Sequence, residues 1–275
     1  MSFPKPLRAV ITGAGSGLGR AMALDLAGRG ASLVVSDIDP VSAEQTAGQV
    51  RALGADAEVI PCDVTDRDAV FALIEEVDKR LGGVDFIANN AGVAVGGPFE
   101  EISIEDWRWV VDINLWGVIH GCQAAIQKMR PQGRGYIVNV ASAAGLIAPP
   151  AMSAYNVTKA GVVSLSETLF AEYKSQGIRV AVLCPTFFRT NIVESGRGAT
   201  SEKEDAQVIR WMERSKVQAA DVAKAAIDAV RDGELYVQPM RDGRVAWRLK
   251  RAAPQRFYDS LSRAHEKFLE KRTKR

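Results

Sequence analysis

The sequence has little of the two residue types that most often build metal sites. Its 275 residues include three cysteines, Cys62, Cys122 and Cys184, and two histidines, His120 and His265. An odd and scattered set of cysteines predicts buried free thiols, since it fits neither a disulfide framework nor a Cys-x-x-Cys metal site. Neither histidine lies where a strand ends, as a Ser-His-Asp hydrolase would require. We therefore expect no metal and no hydrolase of that type.

Long apolar runs are also absent. No stretch of about 18 apolar residues occurs, which argues against a transmembrane helix. Near the N-terminus Lys5 and Arg8 precede an apolar run that is interrupted by Gly13, so the pattern does not match a signal peptide. We expect a cytoplasmic protein.

Charge is almost balanced over the whole chain, at +2, but it is unevenly distributed. Residues 241–275 contain 12 Lys/Arg and four Asp/Glu, an excess of eight positive charges, so the preceding 240 residues carry an excess of six negative charges. We expect no nucleic-acid binding, because the acidic body would repel phosphate.

Apolar strand-like runs alternate with helical segments, a pattern typical of an α/β protein with a parallel sheet. We predict one Rossmann-like, doubly wound domain over residues 1–240, with helices flanking about seven strands in the order 3-2-1-4-5-6-7. Pro61, inside the third predicted strand, suits an edge position in that order. The predicted strands are residues 8–12, 32–36, 58–62, 84–88, 136–141, 178–183 and 234–237. Long helices are predicted over 105–130, capped by Ser103, and 152–176, and a shorter one opens at Asp39-Pro40. Thr65 is predicted to cap the helix that follows the third strand.

A glycine-rich turn follows the first predicted strand, in the run Thr12-Gly13-Ala14-Gly15-Ser16-Gly17-Leu18-Gly19. Glycines allow the backbone to turn tightly and approach a pyrophosphate, and the N-terminus of the next helix offers free N–H groups. A flexible turn is the alternative, but the position between a strand and a helix favours nucleotide binding.

Asp37 ends the second predicted strand, twenty residues after Gly17. A carboxylate at this place can accept hydrogen bonds from both ribose hydroxyls and would repel a 2′-phosphate. No basic residue stands at position 16 or directly after Asp37 to attract that phosphate. The sequence therefore favours NAD over NADP, although a solvated loop acid would look the same.

Tyr155 and Lys159 are four residues apart in a predicted helix, so they share one face. A nearby ammonium lowers the pKa of a phenol, and such a tyrosine can exchange a proton with an alcohol oxygen. The Tyr-x-x-x-Lys pattern alone is common. It indicates a catalytic pair here because other motifs of the same kind of site precede it in the sequence.

Taken together, the motifs resemble the single-domain short-chain dehydrogenase/reductase family over about residues 7–240. The resemblance is carried by Thr-Gly-x-x-x-Gly-x-Gly at 12–19, Asn89-Asn90-Ala91-Gly92, Asn114, Ser142 and Tyr155-x-x-x-Lys159. It implies that Tyr155 is the general acid/base and that Lys159 lowers its pKa and holds the nicotinamide ribose. It also implies that Ser142 orients the substrate oxygen and that Asn114 supports a relay behind Lys159.

The resemblance implies a cofactor site that spans most of the chain. Its predicted members are Thr12, Gly13, Ser16, Gly17, Leu18, Gly19, Asp37, Asp63, Val64, Asn90, Ala91, Gly92, Tyr155, Lys159, Pro185 and Thr190. The chain departs from the family at Thr186, which replaces the glycine of a usual Pro-Gly pair and restricts the local backbone.

Substrate selectivity is expected from the loops at the strand ends, above all from a lid over about residues 187–216. Apolar side chains there and after Gly92 favour a bulky apolar alcohol or ketone, although they could simply pack the lid onto the body. The candidate substrate residues are Val95, Ser142, Phe187, Phe188, Ile192 and Trp211.

Residues 241–275 form a basic extension that we predict to be helical. Its apolar residues, which include Trp247, Phe257, Tyr258, Leu261 and Phe268, roughly follow helical spacing. Packing on the body or on another subunit is favoured, and peripheral contact with an anionic membrane is the alternative.

We therefore expect an NAD-dependent dehydrogenase for a secondary alcohol or the matching ketone. The family resemblance implies a homodimer or homotetramer. An NADP-linked carbonyl reductase is one alternative, opposed by Asp37. A non-catalytic nucleotide-sensing protein is another, opposed by the joint presence of Asn114, Ser142, Tyr155 and Lys159.

Overall fold

The computed structural model describes residues 2–200 and 202–273, and within them seven strands form one parallel sheet. The strands are β1 (Leu7–Ile11), β2 (Ala31–Val35), β3 (Ala57–Val59), β4 (Phe86–Asn89), β5 (Gly135–Val140), β6 (Ile178–Leu183) and β7 (Tyr236–Val237). Their order is 3-2-1-4-5-6-7, and each neighbouring pair is parallel. This is the doubly wound Rossmann-like sheet that the sequence predicts.

Helices pack on both faces of the sheet. They are α1 (Gly17–Gly28), α2 (Pro40–Ala52), α3 (Arg67–Leu81), α4 (Ile104–Val111), α5 (Gly117–Gln132), α6 (Ala143–Ile147), α7 (Ser153–Tyr173), α8 (Glu202–Arg214), α9 (Ala219–Asp232), α10 (Arg241–Ala252) and α11 (Pro254–Thr273). Helices α1, α2 and α9 enclose one layer of core side chains, and α3, α5 and α7 enclose the other.

The central strands read as continuous apolar runs because both of their faces are buried. In β1, Ala9 and Ile11 belong to the core layer under α1, whereas Val10 belongs to the opposite layer. In β6, Leu183 likewise belongs to the layer under α1, and Val182 belongs to the opposite layer. The alternation of side chains along a strand thus supplies both layers from one segment.

Helix starts follow local capping chemistry. The Asp39 carboxylate accepts hydrogen bonds from the backbone of Val41 and Ser42, as the Asp39-Pro40 pair predicts, and the Ser103 hydroxyl caps α4 by accepting from Asp106. Helix α3 begins after Asp66, whose carboxylate accepts from the backbone N–H groups of Asp68 and Ala69. We had expected Thr65 to be this cap, but its hydroxyl donates instead to Asp63 at 2.8 Å.

Three predicted elements differ in the structure. Strand β3 ends at Val59, two residues before Pro61, so the proline lies beyond the edge strand and not inside it. The predicted 105–130 helix is divided by a π-helical segment, Asp112–Trp116. The basic extension forms two helices, since Ala253 leaves helical geometry and Pro254 begins the next helix.

The predicted lid contains structure that the sequence analysis did not identify. Arg197–Gly198 pairs with Val95–Gly96 in a two-residue parallel ladder, and α8 follows it. Ser201 of the lid and Lys274 and Arg275 of the extension lie outside the described residues. Among the helices that the structure describes, none combines the length and the apolar character needed to cross a membrane.

Candidate active site

The predicted cofactor and catalytic residues gather at the carboxyl edge of the sheet. Thr12 follows β1, Asp37 follows β2, Asn90 follows β4, Ser142 follows β5 and Pro185 follows β6. In a parallel sheet these strand ends lie along one crevice. The fold thus brings together residues that are up to 173 positions apart in sequence.

The turn after β1 is shaped by glycines that have no room for a side chain. Gly13 and Gly17 adopt positive φ angles of 62° and 50°. A Cβ at Gly13 would lie 2.7 Å from the Ala91 Cα, and one at Gly19 would collide with the carbonyl oxygen of Gly13. The two turns after β1 and β4 therefore touch backbone to backbone, and they leave a cradle of free N–H groups at the start of α1.

Polar contacts fix the two turns against each other. The Thr12 hydroxyl accepts from the backbone N–H groups of Asn90 and Ala91 at 3.1 and 3.2 Å. The Asn90 amide in return donates to the carbonyl oxygens of Thr12 and Gly13, both at 2.9 Å. Both residues thus act as positioning residues for the glycine turn.

Asp37 closes the turn on the β2 side. Its Oδ2 atom accepts from the Gly15 N–H at 2.8 Å, and its Oδ1 atom accepts from the Asp39 N–H at 3.1 Å. The side chain is half-buried, so it is held in place while it stays accessible to a ligand. Arg20 adds a second support, because its guanidinium donates to the Gly15 carbonyl and to the Thr46 hydroxyl.

Tyr155 and Lys159 lie one helical turn apart on α7, and both are buried, at 7% and 2% exposure. The Lys159 Nζ atom lies 5.6 Å from the centroid of the Tyr155 ring and donates to the Val140 carbonyl at 2.9 Å. Ser142 caps α6 by accepting from the Ala144 N–H at 3.1 Å. The end of β5 thereby holds both the hydroxyl and the ammonium beside the phenol.

Burial shifts the proton affinities of this pair. It raises the pKa of Tyr155 to about 12, while a hydrogen bond with the Ser142 side chain acts in the opposite direction. It lowers the pKa of Lys159 to about 8, because the charged form loses its hydration. In the protein alone, the phenol is thus protonated at neutral pH, and an added positive charge near it would favour the phenolate.

Asn114 lies in the π-helical segment and is completely buried. Its amide exchanges two hydrogen bonds with the Val93 backbone, both at 2.8 Å, and donates to the Thr158 hydroxyl at 3.4 Å. A Cβ on Gly92 would lie 3.2 Å from the Asn114 Oδ1 and 3.4 Å from the Lys159 Nζ. Gly92 thus lies close to both the amide and the ammonium, and a side chain at this position would crowd them.

The other predicted cofactor residues occupy different surroundings. Asp63 is exposed and its carboxylate accepts from the backbone and the hydroxyl of Thr65, whereas Val64 is buried and its carbonyl lies 3.1 Å from the His120 Nδ1. A Cβ on Gly17 would lie 3.7 Å from the Cβ of Thr190. The start of the lid therefore faces the glycine turn.

The candidate substrate residues do not form one group. Val95 is fully buried with Ile102 and Ala154, and Phe188 is buried in the main core layer. Phe187 and Trp211 are 41% and 47% exposed, and their ring centroids are 5.4 Å apart. Of the two adjacent phenylalanines, Phe187 is thus the one whose side chain is accessible to a ligand. Ile192 is half-buried in the segment between them.

Thr186, the departure from the family pattern, causes no backbone strain. Apart from glycines, the described residues with positive φ are Ala148 and Ala151, so Thr186 has a negative φ that suits any side chain.

Several positioning residues were not identified from the sequence: Arg20, Thr46, Val93, Val140 and Thr158. Two of them act through backbone atoms, for which side-chain identity carries no signal. The three cysteines are free and buried, as predicted, and burial raises the pKa of Cys184 to about 12, which makes it a poor nucleophile. Within the described part of the chain, no cluster of three or more His, Cys, Asp or Glu side chains could hold a metal ion.

Comparison with known proteins assigns the family. Residues 8–200 match the family model described as short chain dehydrogenase. The chain belongs to the short-chain dehydrogenase/reductase family. This is a family of NAD(P)-dependent oxidoreductases, and the glycine cradle and Asp37 of this member fit such a dinucleotide.

Individual relatives extend the comparison. This chain is 33% identical over 231 residues to cyclohexanol dehydrogenase of Acinetobacter sp. strain SE19. The alignment covers 83% of this chain and 89% of the relative. The chain is 36% identical over 229 residues to the oxidoreductase EphD of Mycobacterium tuberculosis H37Rv, and that match covers 80% of this chain. The chain spans 39% of the length of EphD.

A solved structure supports the same assignment. The short-chain dehydrogenase/reductase of Burkholderia phymatum in complex with NAD superposes with a TM-score of 0.86 at 33% identity. The alignment covers 92% of this chain and 96% of that one.

Proposed function

We propose that the protein is an NAD-dependent dehydrogenase that interconverts an apolar secondary alcohol and the matching ketone. One observation carries this proposal: the buried phenol of Tyr155 and the buried ammonium of Lys159 lie with the half-buried hydroxyl of Ser142 at the strand edge beside the glycine cradle. A set of this kind can hold an alcohol oxygen and move its proton.

Each of the three side chains has a distinct chemical role. Tyr155 accepts the hydroxyl proton during oxidation and returns it during reduction. Ser142 hydrogen-bonds the same substrate oxygen and the phenol, so it fixes the line along which the proton moves. Lys159 stays anchored to the Val140 carbonyl and places its ammonium where it stabilises the phenolate. When it is bound, the nicotinamide cofactor supplies the hydride acceptor for alcohol oxidation and the hydride donor for ketone reduction.

Asn114 holds the segment behind the ammonium. Its two hydrogen bonds to Val93 fix the chain directly after Gly92, which itself lies close to the Lys159 ammonium. We propose that Asn114 supports a water or backbone relay behind Lys159.

The preference for NAD is supported by Asp37 and by the NAD complex of the Burkholderia phymatum protein. The Asp37 carboxylate is fixed by the Gly15 N–H, so it would stand close to a 2′-phosphate and repel it. A fluorescence titration with NADH and NADPH tests the preference. We expect at least tenfold tighter binding of NADH, and equal affinities would contradict the proposal.

The substrate class is supported by the exposed rings of Phe187 and Trp211 and by the similarity to cyclohexanol dehydrogenase. An apolar face on the substrate would cover these rings and remove them from water. Turnover should therefore rise along a series from 2-propanol to cyclohexanol to larger cycloalkanols. A fall along that series would contradict the apolar assignment.

The central test is NAD reduction with cyclohexanol by the wild type and by Tyr155→Phe. We expect the variant to lose at least 1,000-fold in kcat/KM while it still binds NADH, since general acid/base catalysis contributes about 10²- to 10⁴-fold. Tyr173→Phe at the other end of α7 is the matched control and should behave as the wild type. Full turnover in Tyr155→Phe would disprove the assigned role. NADH binding by a wild type that turns over no alcohol would favour a nucleotide-sensing protein.

We also propose a homodimer or homotetramer. Four large apolar side chains are 48–68% exposed on this part of the chain. They are Phe99 shortly before α4, Ile104 on α4, Trp116 in the π-helical segment and Val157 on α7. Burial of such side chains in a second copy would remove their contact with water. Light scattering on the wild type and on Trp116→Glu tests this, and a monomeric wild type would contradict it.

A further inference from the structure

The two C-terminal helices contact the short helix that follows Ser142. The Lys250 ammonium on α10 donates to the Leu146 carbonyl at 2.6 Å, and the Tyr258 hydroxyl on α11 donates to the Ile147 carbonyl at 3.1 Å. Both acceptors end α6, where carbonyl groups lack helical partners. A cation at this end also interacts favourably with the helix dipole. The extension therefore caps the helix whose first turn is capped by Ser142.

A second contact joins the extension to the segment after β6. The Thr186 hydroxyl donates to the Asp242 carboxylate at 3.2 Å. A Cβ on Gly243 would lie 2.8 Å from the Thr186 Cγ2, so α10 approaches this threonine through a glycine. The glycine usual in the family could make neither contact. Thr186, the residue that replaces the family's usual glycine, is thus the residue that α10 of the C-terminal extension contacts.

The segment between α6 and α7 is held in a costly conformation. Ala148 and Ala151 have φ angles of 45° and 59°, which disfavour residues with a Cβ. Hydrogen bonds from the Asn156 amide to Pro149, at 2.7 Å, and from the Gly97 N–H to Ala151, at 2.9 Å, hold its far side. Its near side begins at Ile147, where Tyr258 binds. This segment connects Ser142 to the helix that carries Tyr155.

We propose that α10 and α11 form a brace that fixes residues 142–151 and so sets the fit of the substrate oxygen between Ser142 and Tyr155. Lys250 and Tyr258 are positioning residues in this assignment, and Thr186 is the second anchor of the brace. The proposal rests on the proposed dehydrogenase function for the roles of Ser142 and Tyr155. It predicts that loss of the brace impairs substrate binding and leaves the glycine cradle intact.

The test uses the full-length chain with Lys250→Met, Tyr258→Phe and the double variant. Lys267→Met, on an exposed part of α11, is the matched control for the lysine change. Three quantities are measured: amide hydrogen exchange of residues 143–152, NADH affinity by fluorescence, and kcat and KM for cyclohexanol with NAD. Lys250→Arg keeps a cationic donor at the α6 terminus and should restore wild-type behaviour.

We expect the double variant to exchange residues 143–152 about tenfold faster and to raise the KM for cyclohexanol about fivefold. NADH affinity and the exchange of α1 should stay within twofold of the wild type. Unchanged exchange in 143–152 would overturn the brace, and so would an equal change in Lys267→Met or an equal loss of NADH affinity. If the wild type turns over no alcohol of the series, the dehydrogenase proposal fails, and the exchange measurement alone still decides whether the brace exists.

Discussion

The cofactor side and the substrate side of this molecule are built in different ways. The cofactor side consists of short backbone turns that glycines bring into contact, supported by Thr12, Asn90 and Asp37. The substrate side depends on side chains from distant segments, such as the Lys250–Leu146 and Tyr258–Ile147 pairs, which are 104 and 111 residues apart. Each turn of the first side is therefore a recognisable local motif, whereas the contacting residues of the second side belong to no local motif.

The largest expected effect would break the cofactor side. Gly19→Ala places a Cβ against the Gly13 carbonyl, a fixed backbone atom, so the turn must open. We expect NADH affinity to fall about 1,000-fold, or about 4 kcal/mol, in a fluorescence titration. Gly28→Ala, on the same helix, is the control, because its Cβ would meet no atom within 4 Å. Equal affinities in the two variants would show that the contact between the turns is dispensable.

The next effect concerns Lys159, where the two sides meet. The buried lysine has a pKa of about 8 in place of 10.5, so between these values the unfolded chain binds more protons at this group. The Lys159 contribution to the free energy of unfolding should therefore rise with pH across this window, by about 3 kcal/mol in total. The three buried cysteines act in the opposite sense above about pH 9, because burial raises the pKa of their thiols. Urea denaturation of the cofactor-free protein from pH 7.5 to 10 measures the slope.

Relative to Lys159→Met, the free energy of unfolding of the wild type should rise with pH, and Lys267→Met should behave as the wild type. A slope that is the same in the wild type and in Lys159→Met would show that the lysine is hydrated and keeps its ordinary pKa. Above pH 10 the raised pKa of Tyr155 acts in the opposite sense, because the unfolded chain then loses its phenol proton first.

A smaller effect would sharpen the account of the cofactor side. Asp37→Asn keeps an acceptor for the Gly15 N–H but removes the negative charge. We expect the ratio of NADPH to NADH affinity to rise about 30-fold, or about 2 kcal/mol, mostly through tighter NADPH binding. Asp63→Asn is the control, since the Asp63 carboxylate is exposed and held by Thr65. A ratio that does not move would assign the preference to another residue.

The smallest effect concerns the substrate side. Phe187→Ala removes a half-exposed ring that contacts Trp211, and aromatic pairs of this kind contribute about 0.5–1.5 kcal/mol. We expect the KM for cyclohexanol to rise about fivefold while NADH affinity is unchanged. Phe99→Ala, outside the predicted lid, removes a more exposed ring and should leave both constants unchanged. A loss of NADH affinity in Phe187→Ala would place this ring on the cofactor side.

The same division explains what the sequence could predict. The glycine turn and the Ser103 and Asp39 caps depend on neighbouring residues, and the strand order follows from the alternation of strands and helices along the chain. The structure agrees with all of them. The predicted end of β3 was wrong because the apolar residues continue to Cys62. In the structure the strand ends at Val59, before Pro61. The cap of α3 was misjudged because Thr65 and Asp66 are both good caps, and a hydrogen bond to Asp63 decides between them.

The substrate side was predicted less well for a physical reason. Phe187 and Phe188 are adjacent and chemically identical, yet one is exposed and the other belongs to the core. No local pattern distinguishes them, because the difference arises from the packing of Phe188 against the α9 layer. The break of the extension at Ala253 was likewise hidden, since its apolar residues keep helical spacing across the break.

The π-helical segment at Asp112–Trp116 has a consequence for how this chain tolerates changes of length. Each residue of an α-helix advances the side-chain direction by about 100°, so a wide turn accommodates one residue more than a regular turn. Deletion of a single residue here would let α4 and α5 merge into one regular helix. The side chains of α5 would then keep their present directions, and His120 and Cys122 would stay in the core. The loss would fall on the wide turn itself, where Asn114 would no longer meet the Val93 backbone as it does now.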